Sequence, residues 1–302
     1  MNIISPINIT PAMMTSSLLV EDPSAAWISA TYAVGDERHV VSTRRVYRCA
    51  VAGASSISPE LDPTRWVDRR PTNRSAPFDI YTSTAATTVT ALTYELTPGY
   101  FNAIALYGLT GAQYTLTVKD AAGGAVIYTR SGFLADDPMN WYEYLFGAPK
   151  LRKTLIFSGI PIRPAAELTL TITAASGQPV GIGMIVVGDY VSLAGEGQWG
   201  GTQYGASAEP VTYSFMKTND DGSTQIVKRH SATNLRVSIA MPREEADVVL
   251  QSVQAVLDVP VAWIATSAPG YAGLTAFGIG SGSMSYDSFG VATLDITVKG
   301  LV

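Results

Sequence analysis

Residues 168–193 constrain the fold more than any other part of the chain. The first half alternates apolar residues with threonine, which places Leu168, Leu170 and Ile172 on one face, the period of a half-buried strand. Residues 176–179, Ser-Gly-Gln-Pro, supply turn chemistry. The stretch therefore predicts a β-hairpin, and because an isolated hairpin is only marginally stable, it predicts a second sheet packed against it.

The return strand of this predicted hairpin has apolar residues on both faces. Gly181 and Gly183 leave room for another backbone to approach. Ile185 and Val187 fill the second face, so we expect the end of the strand to be buried on both sides. Alternate positions share the first face: Val180, Ile182, Met184 and Val186.

The composition indicates a β protein with little charged surface. Charged residues make up 15% of the 302 residues, against about 25% in an ordinary soluble domain. Either the polar surface is small, or the chain is a subunit whose faces are covered by neighbours in an assembly. The net charge of −5 argues against nucleic acid as a main ligand.

The sequence also indicates the cellular compartment in which the chain is made. A single cysteine, Cys49, excludes an internal disulfide framework and fits synthesis in a reducing cytoplasm. The start of the chain has no basic residue, and Pro6 and Pro11 interrupt its apolar residues, so we expect no secretory signal. The apolar run at 180–187 is too short to cross a bilayer, so no membrane insertion is expected.

Composition shifts divide the chain into four segments. Residues 1–22 lack periodicity and predict an extended arm, flexible or lying along a partner. Residues 23–76 are rich in aromatic residues, and residues 77–194 contain short alternating strands that predict an antiparallel β-sandwich. Residues 195–302 predict an α+β unit. The predicted fold class is therefore mainly β with one C-terminal helix.

The aromatic segment has spaced residues that suggest a sugar-binding family. It contains Trp27-x4-Tyr32-x2-Gly-Asp, then Val-Tyr-x-Cys49, then Pro-x2-Trp66. This pattern resembles the small chitin- and cellulose-binding modules of bacterial glycosidases. The resemblance implies that Trp27, Tyr32 and Trp66 stack on sugar rings; the alternative is that they form the core of a small module.

The sandwich segment resembles a second family. The phrases YFNAIALYGLTGAQYTLTVKD and VGIGMIVVGDYVSL are similar to the galactose-binding-like jelly roll. In that family the middle loop carries ligand contacts, which here implies Trp141, Tyr142 and Tyr144. The alternative is that these rings plug the sandwich or a subunit interface.

The last segment has signals for a hairpin, a helix and a strand. Asp220-Asp221-Gly222 between two short strands predicts a hairpin turn. Pro242 and the acidic residues after it open a helix, and Pro260 closes it. The apolar stripe of that helix consists of Ala246, Val249, Leu250, Val253, Val256 and Leu257.

The sequence contains no convincing motif for catalysis, metal binding or cofactor binding. Residues 195–200 match G-x-G-x-x-G, but the residues that follow cannot open a helix, so we interpret the match as a linker rather than a dinucleotide site. His39 and His230 lie in different segments, each expected to be a solvated or interface residue. Asp136-Asp137 and Asp220-Asp221 are interpreted as turn acids. The sequence therefore predicts no enzyme, no metal and no cofactor.

The order of segments, which includes RWVDRRPTNRSAPFD and GTQYGASAEPVTYSFMKTNDDGSTQIVKR, resembles a group of tailed-bacteriophage virion proteins, and PTNRSAPFD is the most specific phrase. The last segment is also similar, at the level of fold, to ring-forming domains of tail tube and distal tail proteins. These resemblances imply a structural tail subunit, located in the virion after assembly in the host cytoplasm. Its expected partners are copies of itself and other phage tail proteins. The alternative is a host-surface glycan-binding adhesin.

Overall fold

The computed structural model describes residues 1–136, 140–147, 150–193, 199–268 and 270–301. Strands dominate it. Those of the first 76 residues are β1 (Asn2–Pro6), β2 (Met14–Ser17), β3 (Ala30–Tyr32), β4 (Glu37–Val40), β5 (Arg45–Cys49), β6 (Gly53–Ser55) and β7 (Trp66–Pro71). Short 3-10 turns cover Pro11–Met13, Pro59–Leu61 and Ala76–Phe78.

The middle and last segments contain the remaining elements. The middle segment has β8 (Ala86–Val89), β9 (Ala91–Leu96), β10 (Ala103–Tyr107), β11 (Gln113–Lys119), β12 (Val126–Phe133), α1 (Trp141–Phe146), β13 (Thr154–Phe157), β14 (Glu167–Thr173), β15 (Pro179–Ile182) and β16 (Met184–Ser192). The last has β17 (Gly201–Thr202), β18 (Ser207–Thr212), β19 (Phe215–Thr218), β20 (Thr224–Val227), β21 (Ser231–Pro242), α2 (Arg243–Gln254), β22 (Val261–Ile264), β23 (Thr275–Ser285) and β24 (Val291–Gly300).

Two antiparallel sheets contain most of these strands, and the strands of the aromatic segment form the small sheets β3-β6 and β4-β5-β7. The large sheet has the order β13-β10-β16-β1-β22-β23-β24-β21-β17, and β18 also pairs with β21. The five-stranded sheet has the order β12-β11-β14-β9-β2. Apolar side chains of both sheets meet in one core, so the predicted mainly β, sandwich-like fold is confirmed.

The hairpin predicted over residues 168–193 does not form. Strand β14 pairs with β9 and β11 in the five-stranded sheet, whereas β16 pairs with β10 and β1 in the large sheet. Between them, β15 pairs with β8. The chain therefore crosses from one layer to the other, because both strands can bury their apolar faces in the same core from opposite sides.

The four residues predicted to share one face of the return strand do not all face the same side, and the change occurs at Gly183. A Cβ atom there would lie 2.9 Å from the Thr82 carbonyl oxygen and 3.2 Å from that of Tyr107, which confirms the expected close backbone approach. Val180 and Ile182, before this glycine, face the sandwich core, whereas Met184 and Val186 face the opposite side of the large sheet. The expected burial on both sides of β16 is confirmed by four buried residues: Met184, Ile185, Val186 and Val187.

The first residues of the chain form an inner strand rather than an arm. Strand β1 lies between β16 and β22 and pairs with both. Ile3 contributes to the core under α2, and Ile4 contributes to the core on the other face of the sheet. This differs from the expectation that the segment lies along a partner. Its strand also joins β16 to β22, which lie on either side of the boundary predicted at residue 194.

The predicted C-terminal helix is confirmed as α2, which follows Pro242 and contacts β21, β23 and β24. Ala246, Val249 and Val253 are buried against these strands. The helix ends at Gln254, earlier than Pro260, and the buried Val256 belongs to the turn that follows. Of the helices in the described ranges, none is long and apolar enough to cross a membrane.

Candidate functional site

Two of the three predicted sugar-stacking residues lie in the core of the aromatic module. Tyr32 is 3% exposed and Trp66 2% exposed, and their rings meet edge to face at 5.0 Å. The indole N–H of Trp66 donates to Ser55 Oγ at 3.1 Å, and the hydroxyl of Tyr32 donates to the Ile28 carbonyl oxygen at 2.6 Å. A ring enclosed in this way offers no face to a sugar, so for these two residues the core alternative is correct.

Trp27 differs from them in exposure. It is partly buried against the same cluster, and its backbone N–H donates to the His39 carbonyl oxygen at 2.9 Å. Its indole nitrogen is buried without a hydrogen-bond partner among the described residues. Trp27 is therefore the one predicted glycan residue with ring surface accessible to a ligand.

An ionic cluster holds the module to the segment before it. Asp22 accepts hydrogen bonds from Arg70 Nη1 at 2.6 Å, from the Ser24 backbone N–H at 2.8 Å and from the Asn73 backbone N–H at 3.0 Å. Burial alone would raise the pKa of Asp22, but these hydrogen bonds outweigh burial and lower that pKa to about 2. The charged carboxylate therefore links the start of the module, at Ser24, to its end, at Arg70 and Asn73.

Exposed aromatic side chains occur instead on α1. Trp141 is 79% exposed, Tyr142 73% and Phe146 74%, and the rings of Tyr142 and Phe146 lie 5.4 Å apart. These rings do not plug the sandwich, so that part of the alternative is wrong for Trp141 and Tyr142. The side chain of Tyr144 lies outside the described part of the chain. Sequence reasoning missed Phe146, although its four-residue spacing from Tyr142 is the helical signal for a shared face.

The hairpin predicted around Asp220-Asp221-Gly222 is confirmed. Strands β19 and β20 pair only with each other among the described strands, and residues 213–231 form a ribbon that projects from β18 and β21. Gly222 has a φ of +80°, the left-handed conformation that the turn requires. Asp221 Oδ1 accepts from the Ser223 hydroxyl at 2.6 Å and backbone N–H at 2.8 Å, and these bonds lower the pKa of Asp221.

Both faces of this ribbon carry exposed apolar side chains. Phe215 lies opposite Val227, and Met216 opposite Ile226, and successive pairs point to opposite faces. These four side chains are between 43% and 67% exposed. The ribbon therefore presents apolar surface that no part of the described chain covers.

The remaining predicted residues are spread over the molecule. His39 is buried, with Nδ1 2.8 Å from the Ser24 carbonyl oxygen, so the expectation of a solvated or interface residue is wrong for it. His230 is exposed at the base of the ribbon. Asp136 forms an ion pair with Arg152, while Asp137 and residues 195–198 of the G-x-G-x-x-G match lie outside the described residues. Within the described ranges, no three His, Cys, Asp or Glu side chains are grouped to hold a metal.

Comparison with known proteins gives only weak structural likeness. No known protein family and no curated protein matches the sequence. Among solved structures, the chain is similar to a mutant of chitosan-binding module 1 derived from a chitosanase/glucanase of Paenibacillus sp. IK-5. The two are 12% identical, the match covers 38% of this chain and 82% of that chain, and the TM-score is 0.27. A likeness at this TM-score carries no argument about this chain.

The glycan candidates and the hairpin candidates therefore form two separate sets. Trp27, Tyr32 and Trp66 share one small cluster, and the turn at Asp220-Asp221-Gly222 ends a ribbon attached to the large sheet. Together with α1, the ribbon concentrates exposed apolar surface that a binding partner would cover.

Proposed function

We propose that this chain is a non-enzymatic structural subunit that assembles with copies of itself through the ribbon, residues 213–231, into a ring or sheath around a bacteriophage tail channel. The observation that carries the proposal is the apolar surface on both faces of the ribbon. A two-stranded hairpin is only marginally stable in water. These side chains are already about half covered, so burying the rest of each one on a neighbour contributes about 1 kcal/mol, which favours an assembled state.

The ribbon suits a contact between identical subunits. Strands β19 and β20 each have a free backbone edge among the described strands, so a neighbouring strand can add to either. A projecting element that docks elsewhere on the next copy makes a head-to-tail contact, and such contacts close into rings when the rotation permits. The assignment to a phage tail rests on the sequence resemblance to tailed-phage virion proteins.

The test is the mass of the purified protein over a range of concentrations, by sedimentation velocity and light scattering. Replacing residues 215–227 by two glycines should give a folded monomer with an unchanged β-sheet circular dichroism spectrum. The matched control is Ile57→Ser with Leu61→Ser, which removes exposed apolar side chains elsewhere and should leave the assembly intact. An intact protein that stays monomeric at high concentration would contradict the proposal.

The position in the virion has its own test. A low-resolution map of the particle, with the protein located by an antibody, should show copies arranged around the tail axis. Isolated copies away from the axis would contradict the ring and favour an adhesin.

The absence of catalysis is part of the proposal and is tested by activity. The purified protein should release no reducing sugar from host surface polysaccharide. Release that is abolished by one Asp or Glu substitution would identify a hydrolase and contradict this part of the proposal.

A second candidate function is binding to host-surface glycan, and the exposed rings of Trp141 and Tyr142 favour it. Aromatic faces stack on the apolar faces of sugar rings. Changing either residue to alanine should weaken binding on a glycan array about fivefold, since a stacked ring contributes about 1 kcal/mol. The Trp27→Ala variant shows whether the aromatic module, rather than α1, contributes to glycan binding. Glycan binding that is absent, or unchanged in all three variants, would exclude these rings as the site.

A further inference from the structure

A basic cavity lies where the base of the ribbon meets the sandwich. Its volume is about 550 Å³, and it is lined by Lys153 and Thr154, where β13 begins, and by Arg229 and His230 at the base of the ribbon. None of the described residues that line it is an aspartate or a glutamate. In a chain with a net charge of −5, this is a local excess of positive charge.

Among the described residues, the cations of this cavity have no anionic partner. No carboxylate of the described residues lies within 4 Å of the side-chain nitrogens of Lys153 or Arg229. Tyr107 also lines the cavity, and its hydroxyl is buried with no hydrogen-bond partner among the described residues. The cavity therefore holds donors and positive charge that an anionic ligand would satisfy.

The tip of the ribbon has the complementary charge. Asp220 and Asp221 are exposed, and neither forms an ion pair with a described residue. Asp221 uses Oδ1 to hold the turn and keeps its second carboxylate oxygen for another donor. The acidic tip, on a turn closed by hydrogen bonds from Ser223, therefore has the anionic chemistry that the basic cavity would bind.

The tip cannot occupy the cavity of its own chain. The cavity includes the base of the ribbon at Arg229, and the tip lies about eight residues further along an extended strand, roughly 25 Å at 3.3 Å per residue. A paired hairpin does not fold back over that distance. An acidic tip that enters this cavity therefore belongs to another molecule.

We propose that the acidic tip of one copy, Asp220 and Asp221, seats in the basic cavity of the next copy, against Lys153 and Arg229. This inference rests on the proposed self-assembly and names the residues that make the contact between neighbouring copies. The cavity and the tip are different surfaces of the same chain, so the contact is head-to-tail and suits a ring. Charge complementarity of this kind fixes the register of an interface and excludes wrong partners.

Charge reversal tests the contact in the full-length protein. The tip variant is Asp220→Lys with Asp221→Asn, since asparagine can still accept the Ser223 bonds that hold the turn. The cavity variant is Lys153→Glu with Arg229→Glu. Each variant alone should self-associate about tenfold or more weakly than the wild type in sedimentation velocity. An equimolar mixture should regain association, because each tip then meets a cavity of opposite charge.

Matched controls apply the same changes in charge elsewhere. Asp258→Lys with Glu60→Gln matches the tip variant, and Arg163→Glu with Lys299→Glu matches the cavity variant. All four control positions are exposed. The controls should associate as the wild type does, and circular dichroism should show that every variant is folded.

The outcomes separate this contact from the proposed function. A wild type that assembles while both charge variants assemble equally well overturns the contact and leaves assembly through the ribbon standing. A mixture that fails to regain association also overturns the contact. If the cavity variant assembles normally but loses binding of inorganic phosphate or oligogalacturonate, the cavity takes a small anion and the contact is wrong. A wild type that stays monomeric overturns the proposed function and the contact together.

Discussion

At the scale of residues, Asp22 is the group whose ionisation most affects the aromatic module. Its side chain is completely buried and its charge is compensated by Arg70 and by the Ser24 and Asn73 amides. The pKa is about 2 in the folded protein, against an ordinary value of 3.8. Protons therefore bind the unfolded chain more tightly than the folded one, and acid favours unfolding.

The expected result is a pH-dependent contribution to the free energy of unfolding of the module. This contribution is complete above pH 3.8 and is lost as the pH falls through about 2. Asp22→Asn should lack it and should destabilise the module at neutral pH by about 2 kcal/mol, because a neutral amide then replaces the buried carboxylate that accepts hydrogen bonds from the partly exposed Arg70. Urea unfolding at several pH values measures both effects. The exposed Asp258→Asn serves as control, and an Asp22→Asn profile parallel to the wild type would contradict the assignment.

Trp66 and Trp27 test the difference between core and surface in the same module. Trp66→Ala removes a ring that is 2% exposed and should cost about 3–5 kcal/mol of stability. Trp27→Ala should cost less, since its ring is only partly buried. Chemical denaturation of both variants measures the costs. A stable Trp66→Ala protein that has lost only sugar binding would return Trp66 to the glycan candidates.

At the scale of elements, the pairing of β1 with β16 depends on a close approach of two backbones at Gly188. A Cβ atom there would lie 1.8 Å from the Ser5 carbonyl oxygen, so alanine would push the strands apart. We expect Gly188→Ala to destabilise the large sheet by about 1–3 kcal/mol. The matched control is Gly273→Ala, where a Cβ atom would meet nothing within 4 Å. Equal thermal midpoints for the two variants would show that β1 does not approach β16 in this way.

At the scale of the whole molecule, the large sheet makes the sandwich and the C-terminal strands one structural unit. Strand β1 pairs with β16 on one side and β22 on the other, whereas the aromatic module has a core of its own. We therefore expect two calorimetric transitions, one for the module and one for the rest of the described chain. Trp66→Ala should lower only the first, and Gly188→Ala only the second. A third transition that separates residues 77–193 from residues 199–301 would contradict a continuous sheet.

The sequence alone determined the local elements. Alternation of apolar residues predicted the buried face of β14, because a strand's side chains alternate with a period of two that no distant contact changes. Proline, acidic residues and an apolar stripe predicted α2, and Asp-Asp-Gly predicted the turn of the ribbon. The glycine at 183 predicted a close backbone approach, since a missing Cβ is a local property.

Only the tertiary structure decided which elements meet. Periodicity shows that β14 and β16 each have a buried face. It does not show whether the two strands pair within one sheet or lie in two sheets that pack against each other. The pairing of β1 with β16 joins residues that lie almost the length of the first three segments apart, and no local signal encodes it. Aromatic residues carry the same ambiguity: Trp66 is enclosed and Trp141 is exposed, because burial depends on what packs against a ring rather than on the ring itself.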